Sequence, residues 1–193
     1  MRVGGKIDAS TKDMEAQVLL GLIRAILADS GARSLVIGLG SGYTAAAVHA
    51  GGAGSTEVVD LEQGVDEASR FIHPQGQSPL DDPRTTLVVG DARTHLAHSA
   101  GKCGLIVSEP SNPWVAGVNN LFTVVCYQHV RNRLEPDGVF YQWMQLCELT
   151  PETFRSMIAS DLEVFPQGEV FTVWRAVDML LDSSAHGRSL ALD

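Results

Sequence analysis

The chain is poor in the residues that several classes of protein require. Its three cysteines, Cys103, Cys126 and Cys147, are widely spaced, which favours reduced thiols in a cytoplasmic protein over a disulfide framework. Lysine and arginine number 14 against 23 acidic residues and form no cluster, so nucleic acid is not an expected partner. The net charge of −9 instead favours a cationic partner.

Long apolar runs and metal-ligand patterns are also absent. The most apolar run, 18–28, contains Arg24 and is much shorter than the ~20 residues that cross a bilayer, so we expect no membrane segment in this chain. The six histidines form no ligand-spaced pair on a convincing helix, and we therefore expect no metal site. These absences leave a cytoplasmic globular protein, which we expect to form a single domain over 1–193.

Strand and helix patterns alternate along the whole chain, which predicts an α/β fold. Together they indicate a doubly wound, mostly parallel sheet of seven strands with helices on both faces. Ligands of such sheets bind beyond the carboxyl ends of the strands. The predicted strands are 34–38, 57–61, 85–89, 103–108 and 136–142, closed by an antiparallel pair near 169–175 and 178–182. The predicted helices are 14–29, 43–50, 64–72, 92–98, 121–134 and 150–160.

Residues 34–42 read Ser-Leu-Val-Ile-Gly-Leu-Gly-Ser-Gly, a buried strand that runs into a glycine turn. A dinucleotide-binding turn would place its third glycine at 43, where this chain has Tyr43. No Lys-Ser/Thr pair follows, as it would in an ATP-binding loop. The common ligand that remains is S-adenosylmethionine or a relative, which has a nucleoside but no phosphates. A tight strand–helix connection without any ligand is the alternative.

Two acidic residues, Asp60 and Asp91, lie at the ends of the predicted strands 57–61 and 85–89. Asp60 lies close to the ~20-residue spacing after Gly38 at which an acid binds ribose hydroxyls, and its carboxylate can accept both of them. Asp91 could accept a hydrogen bond from an adenine amino group, although either acid could instead cap a helix. We expect these strand ends to form one nucleoside site. Its predicted residues are Gly38, Gly40, Ser41, Gly42, Asp60, Leu61, Asp91 and Ala92.

The end of the fourth predicted strand carries residues suited to amine chemistry. Residues 109–114 read Glu-Pro-Ser-Asn-Pro-Trp, and the two prolines restrict the backbone of this loop. Glu109 can pair with an ammonium group or accept its proton, Asn112 can orient an N–H group, and Trp114 can contact a cation. A proline-rich turn anchored by a buried tryptophan is the alternative.

In these motifs the chain resembles the polyamine aminopropyltransferases, the spermidine synthase family. It is most similar to spermidine synthase-like members that carry Glu-Pro-Ser-Asn-Pro-Trp, and the similarity runs from about residue 4 to residue 181. The matching segments are 4–10 with Asp13, the glycine turn, 59–62, 82–84, 90–93, 108–114, 120–123 with Tyr127, 136–142 and 151–154.

The resemblance implies a Rossmann-like sheet of the S-adenosylmethionine-dependent methyltransferase type. It also implies transfer of an aminopropyl group from decarboxylated S-adenosylmethionine to putrescine or a related amine. Glu109 would occupy the position of the catalytic aspartate, Asp60 would bind ribose and Asp91 would bind adenine. Residues expected to bind the amine substrate are Asp13, Asn112, Trp114 and Gln142.

Further expectations from the resemblance concern the ends of the chain and its assembly. Residues 1–12 would be a remnant of an N-terminal segment that covers the substrate, and 183–193 a flexible tail. Members of the family often form dimers, so the resemblance allows a homodimer.

Departures from the family pattern keep two other functions open. Ser41 replaces an aspartate that pairs with the aminopropyl ammonium, so ordinary S-adenosylmethionine is also admissible as the co-substrate. Asn112 replaces a second acid, and residues 111–114 resemble the Asn/Asp-Pro-Pro-aromatic loop of amino-methyltransferases. One alternative is therefore an S-adenosylmethionine-dependent amine methyltransferase. The other is a non-catalytic nucleoside-binding module.

Overall fold

Strands and helices alternate through the chain in the computed structural model, which describes residues 2–3, 6–7, 17–19, 21–22, 31–73, 76–110, 117–146, 149–173 and 178–184. The strands of the main sheet are β1 (Arg33–Ile37), β2 (Ser55–Asp60), β3 (Thr85–Val89), β4 (Cys103–Ser108), β5 (Leu134–Gln145), β6 (Glu169–Val173) and β7 (Asp178–Ser184). The helices are α1 (Tyr43–Ala50), α2 (Val65–Ile72), α3 (Ala92–His98), α4 (Val124–Arg133) and α5 (Pro151–Val164). Short 3-10 helices span Pro79–Asp81 and Val118–Phe122, and residues 17–19 and 21–22 are helical.

Within the described residues, seven strands form one sheet in the order β3-β2-β1-β4-β5-β7-β6. Strands β1 to β5 run parallel, and β7 pairs antiparallel with both β5 and β6. The predicted mostly parallel α/β sheet with a closing antiparallel pair is therefore confirmed. The strand order reverses between β1 and β4, which is where open α/β sheets bind their ligands.

Both faces of the sheet are covered, which explains why its central strands are rich in apolar residues. In β1, Val36 packs on one face with Ala45 and Val48 of α1. Leu35 and Ile37 of the same strand pack on the opposite face with Tyr127 and Val130 of α4, among others. All six residues of β4 are buried, so the center of the sheet is rigidly packed on both sides.

Polar side chains at the helix starts decide where three of the helices begin. Asp91, Thr123 and Thr150 accept hydrogen bonds from backbone N–H groups in the first turns of α3, α4 and α5. Such caps satisfy donors that the helix itself leaves free. The helix predicted over 121–134 therefore starts only after its cap Thr123, and the 3-10 helix Val118–Phe122 precedes it.

The ends of the chain are described in part. Within the predicted remnant 1–12, Arg2–Val3 and Lys6–Ile7 pair as a short antiparallel ladder. Strand β7 extends to Ser184, so the first two residues of the predicted tail 183–193 belong to the sheet. The remaining residues of that tail lie outside the described part of the chain.

Glu57 of β2 is a mostly buried carboxylate on which three basic side chains converge. Arg33 lies 2.9 Å from its Oε2 atom, His95 3.0 Å and the buried Arg133 3.7 Å. Burial alone would raise the pKa of Glu57, but the hydrogen bond and charge of His95, together with Arg33, outweigh it and lower this pKa. The carboxylate therefore stays ionised and balances buried positive charge.

We expect Glu57→Gln to lower the free energy of unfolding at pH 7 by about 3 kcal/mol, because it leaves Arg133 buried without its counter-ion. Since the pKa of Glu57 is depressed on folding, the stabilisation is present above its ordinary value of 4.5 and is lost as the pH falls through the folded-state pKa. The difference in the free energy of unfolding between the wild type and the variant should therefore disappear at acid pH. Urea unfolding across a pH series measures it, with exposed Glu67→Gln as the control, and a gap that does not vary with pH would contradict the expectation.

Candidate active site

The carboxyl ends of the central strands lie level with one another, and backbone hydrogen bonds continue past them. The N–H of Gly90 donates to the carbonyl of Asp60 at 2.8 Å, and the N–H of Glu109 donates to the carbonyl of Ile37 at 2.8 Å. Gly38 follows Ile37 directly and also donates to β2. The segments that carry the predicted glycine turn and the acids at 60, 91 and 109 therefore meet at one edge of the sheet, where the strand order reverses.

Gly38 allows the glycine turn and the end of β4 to approach each other closely. Its φ is +92°, and a Cβ atom at this position would lie only 2.3 Å from the carbonyl oxygen of Glu109. Gly42, at φ +86°, is similarly enclosed, because a Cβ there would lie 2.9 Å from both Pro79 and Ser69. Side chains at these two positions would have to displace their neighbours or strain the backbone.

Ser41 sits at the center of a hydrogen-bonded contact between the turn and two other segments. Its buried hydroxyl donates to Oε1 of Gln17 at 2.6 Å. Its carbonyl accepts from Ser69 Oγ at 3.2 Å and from His73 Nε2 at 2.7 Å, so that ring nitrogen carries a proton. The local sequence gives no sign of this contact, because Gln17 is one of several polar residues in the helix predicted over 14–29.

Asp60 holds the glycine turn through its carboxylate. One oxygen accepts the backbone N–H of Leu39 at 2.8 Å, and the other accepts the N–H of Glu62 at 3.0 Å. Each oxygen retains a further lone pair that ribose hydroxyls could use. The neighbouring Leu61 is 64% exposed, which leaves an apolar side chain open beside the carboxylate. The predicted roles of Asp60 and Leu61 in nucleoside binding stay predictions.

Asp91 caps helix α3, the alternative that the sequence left open for this residue. Its Oδ1 atom accepts from the N–H groups of Arg93 at 2.8 Å and Thr94 at 3.1 Å, and Oδ2 pairs with the Arg93 guanidinium at 2.7 Å. The hydrogen bond from the Arg93 side chain holds the pKa of Asp91 below its usual value. Ala92 is the first residue of the helix that Asp91 caps. Adenine binding by this pair stays a prediction.

Glu109, the predicted catalytic residue, follows the last residue of β4 and is half-buried. Its Oε2 atom accepts a hydrogen bond from the hydroxyl of Thr44 in the first turn of α1. Thr44 is almost fully buried, and the sequence gives no sign of this contact. A threonine on the buried face of a helix usually indicates core packing, and nothing in the local sequence indicates a hydrogen-bond partner 65 residues away.

Gln142 lies on β5 opposite Ser108, the residue that precedes Glu109. Its side chain is fully buried, and its Nε2 donates to the carbonyls of Ser108 at 3.3 Å and Trp143 at 3.1 Å. Its predicted contact with the amine substrate stays a prediction. Three other predicted substrate-binding residues, Asp13, Asn112 and Trp114, lie outside the described residues.

Neither a metal-binding cluster nor a membrane-spanning helix is found in the part of the chain that the structure describes. No group of three or more histidine, cysteine, aspartate or glutamate side chains there is arranged to hold a metal ion. Of the helices in that same part, none has both the length and the apolar character needed to span a bilayer.

The chain is similar to known proteins in both sequence and structure. It is 30% identical to the polyamine aminopropyltransferase of Bacillus subtilis over 115 residues, which is 60% of this chain and 41% of that enzyme. It is 29% identical to putrescine N-methyltransferase 1 of Nicotiana tabacum over 63% of this chain and 32% of that protein. A crystal structure of a spermidine synthase in complex with the transition state analogue AdoDATO matches with a TM-score of 0.79 and 21% identity, over 91% of this chain and 62% of that one.

The chain thus spans less than half the length of the curated relatives it matches, whereas the fold agreement extends over nearly all of it. The family model described as the spermine/spermidine synthase domain matches residues 24–176. This range includes the glycine turn, Asp60, Asp91 and Glu109. The chain belongs to the spermine/spermidine synthase family.

Proposed function

We propose that this protein transfers an aminopropyl group from decarboxylated S-adenosylmethionine to putrescine or a related amine. The observation that carries the proposal is the position of Glu109. Its backbone is bonded to the end of β1, and its carbonyl lies against Gly38 of the glycine turn. A carboxylate is thereby held beside the segment that would bind the nucleoside of the co-substrate.

The co-substrate would be bound at the edge of the sheet. The turn at 38–42 would contact the nucleoside, the free lone pairs of Asp60 would accept the ribose hydroxyls, and Leu61 would cover part of the base. Asp91 and Ala92, at the start of α3, would bind the adenine edge. The sulfonium would then face the end of β4 and Glu109.

The chemistry needs alignment and removal of a proton more than activation of the leaving group. The amine nitrogen attacks the carbon bonded to the sulfonium, and the C–S bond breaks with its electron pair moving to sulfur, which leaves neutral methylthioadenosine. An alkyl amine has an ordinary pKa of ~10.4, so most of it is protonated near neutral pH. Glu109 would hold the ammonium group in line and take the proton from the attacking nitrogen. Asn112 and Trp114 would orient the same group.

We also propose that the protein works in the cytoplasm. Cys103 and Cys126 are free and buried, and burial raises the pKa of Cys126 to about 12. Such thiols behave as core residues and suit a reducing compartment.

An amine N-methyltransferase is the second candidate, and one observation favours it. Ser41, at the position where the family resemblance implies an acid, is a neutral side chain whose hydroxyl bonds to Gln17. This position therefore offers no carboxylate to an aminopropyl ammonium, and it does not repel the carboxylate of intact S-adenosylmethionine. The similarity to a putrescine N-methyltransferase is consistent with this alternative.

Product analysis separates these functions. The full chain is incubated with putrescine and either co-substrate, and the products are identified by mass spectrometry. We expect spermidine and methylthioadenosine from the decarboxylated form and no N-methylputrescine from the intact form. Calorimetric titration should also show tighter binding of the decarboxylated form.

The opposite pair of results would replace the proposal with methyl transfer. Binding of methylthioadenosine without any product from either co-substrate would indicate a nucleoside-binding module. The absence of binding as well would contradict the proposed nucleoside site itself.

A further inference from the structure

The hydroxyl of Thr44 lies between two acceptors that come from different parts of the fold. It contacts Oε2 of Glu109 at the end of β4, and it lies 3.4 Å from the backbone carbonyl of Gln17 in the N-terminal helical segment. Thr44 is 1% exposed, so water does not compete freely for this hydroxyl. A hydroxyl has one proton to donate and two lone pairs with which to accept. It can therefore donate to only one of the two acceptors at a time.

We propose that Thr44 is a positioning residue that stabilises Glu109 both before and after it takes the proton of the amine. Before transfer, the Thr44 hydroxyl donates to the Glu109 carboxylate and fixes its orientation. After transfer, the neutral Glu109 donates its new O–H to Thr44 Oγ1, and the Thr44 hydroxyl turns to donate to the carbonyl of Gln17. The inference rests on the proposed function of Glu109.

The need for such a residue follows from the length and the burial of Glu109. A glutamate has one more rotatable bond than the aspartate implied at this position by the family resemblance, so its carboxylate has more orientations to lose. A charge-assisted hydrogen bond from a buried hydroxyl selects one of them. The carbonyl of Gln17 provides the acceptor that the Thr44 proton needs once Glu109 is neutral. Neither protonation state then leaves a buried donor without a partner.

The kinetic test replaces the hydroxyl with a methyl group of similar size. We expect Thr44→Val to lower kcat about tenfold, the effect of losing one hydrogen bond to a charged group, while KM for the nucleoside co-substrate changes less than about twofold. Thr44→Ser should restore most of kcat. Thr56→Val is the matched control, because Thr56 is also 1% exposed and its hydroxyl has no hydrogen-bond partner among the described residues. An unchanged kcat in Thr44→Val would overturn the inference.

A double variant distinguishes this role from a general effect on packing. In the Glu109→Gln background, Thr44→Val should cause almost no further loss of kcat, because the carboxylate that Thr44 orients has already been removed. Equal losses in both backgrounds would overturn the inference.

Infrared spectra of protein labelled with 13C at the glutamate carboxyl carbons test the hydrogen bond between Thr44 and Glu109 without relying on activity. The band of Glu109, assigned by its loss in Glu109→Gln, should shift in Thr44→Val and remain in place in Thr44→Ser and Thr56→Val. As the pH is lowered, the C=O band of the protonated Glu109 should also differ between the wild type and Thr44→Val. Bands that do not move would overturn the pairing of Thr44 with Glu109.

A wild-type chain that transfers no group would instead overturn the proposed function, and the infrared result would still decide whether Thr44 pairs with Glu109. If Thr44→Val does not fold, the smaller Thr44→Ala provides the same comparison.

Discussion

Glu109→Gln should lower kcat for aminopropyl transfer by about 10²- to 10⁴-fold, the range expected when a general base is removed. The amide preserves the shape of the side chain but can neither form an ion pair with an ammonium group nor take its proton. The backbone hydrogen bond to Ile37 holds position 109 in place, so the substitution changes the charge without moving the backbone there. Binding of methylthioadenosine, measured by calorimetry, should stay within about twofold of the wild type, because Glu109 would face the transferred group and not the nucleoside.

The control for this result is Glu62→Gln. Glu62 is exposed just after β2, two strands away from β4, and its hydrogen bond to Asp60 uses its backbone N–H. Its side-chain charge lies near the same edge of the sheet, so its removal tests for a general electrostatic effect on a cationic substrate. A loss of similar size in both variants, or full activity in Glu109→Gln, would exclude Glu109 as the base.

Gly38→Ala should abolish nucleoside binding and lower the free energy of unfolding by roughly 3 kcal/mol or more. The backbone strain of a side chain at positive φ costs about 1–3 kcal/mol, and the added methyl would also lie 2.3 Å from a carbonyl oxygen and 3.1 Å from its carbon. Both of these are backbone atoms of Glu109, which cannot rotate away as a side chain could. Relief of the contact must therefore separate the turn from the end of β4. Urea unfolding and calorimetry with methylthioadenosine measure the two effects.

Gly64→Ala is the matched control, because a Cβ at Gly64 meets nothing within 4 Å and its φ is −92°. We expect its stability to change by less than about 1 kcal/mol, with nucleoside binding retained. Equal stability of the two variants, or normal nucleoside affinity in Gly38→Ala, would show that the close approach at Gly38 is not required.

The sequence predicted the sheet well because its signals are local and repeated. Each of the five parallel strands contains a short apolar run, and the strand Cys103–Ser108 is buried at every position. The common location of the glycine turn and of the acids at 60, 91 and 109 then follows from the rule that the carboxyl ends of parallel strands lie at one edge of the sheet. The start of α4 differs from the prediction, because the capping side chain of Thr123 sets the start more sharply than the hydrophobic pattern does.

The contacts within the site could not be predicted in the same way. Thr44 and Gln17 are polar residues on helical segments that pack against the turn, and their partners, Glu109 and Ser41, are distant in the chain. Such pairs depend on how two elements dock, which periodicity does not report. Asp91 illustrates a second limit, since one carboxylate at a strand end fits both a helix cap and a ligand, and the structure shows that the cap is formed.

The backbone hydrogen bond between Glu109 and Ile37 also bears on how substrate specificity can change within this family. It ties the backbone of the proposed base to the buried centre of the sheet, whereas Asn112 and Trp114, two of the residues expected to recognise the acceptor, follow it in the chain. We expect substitutions at these two positions to alter which amine is accepted while the hydrogen bond between Glu109 and Ile37 is retained. New specificities would then arise on this scaffold by successive single substitutions, each of which leaves the anchoring of the proposed base intact.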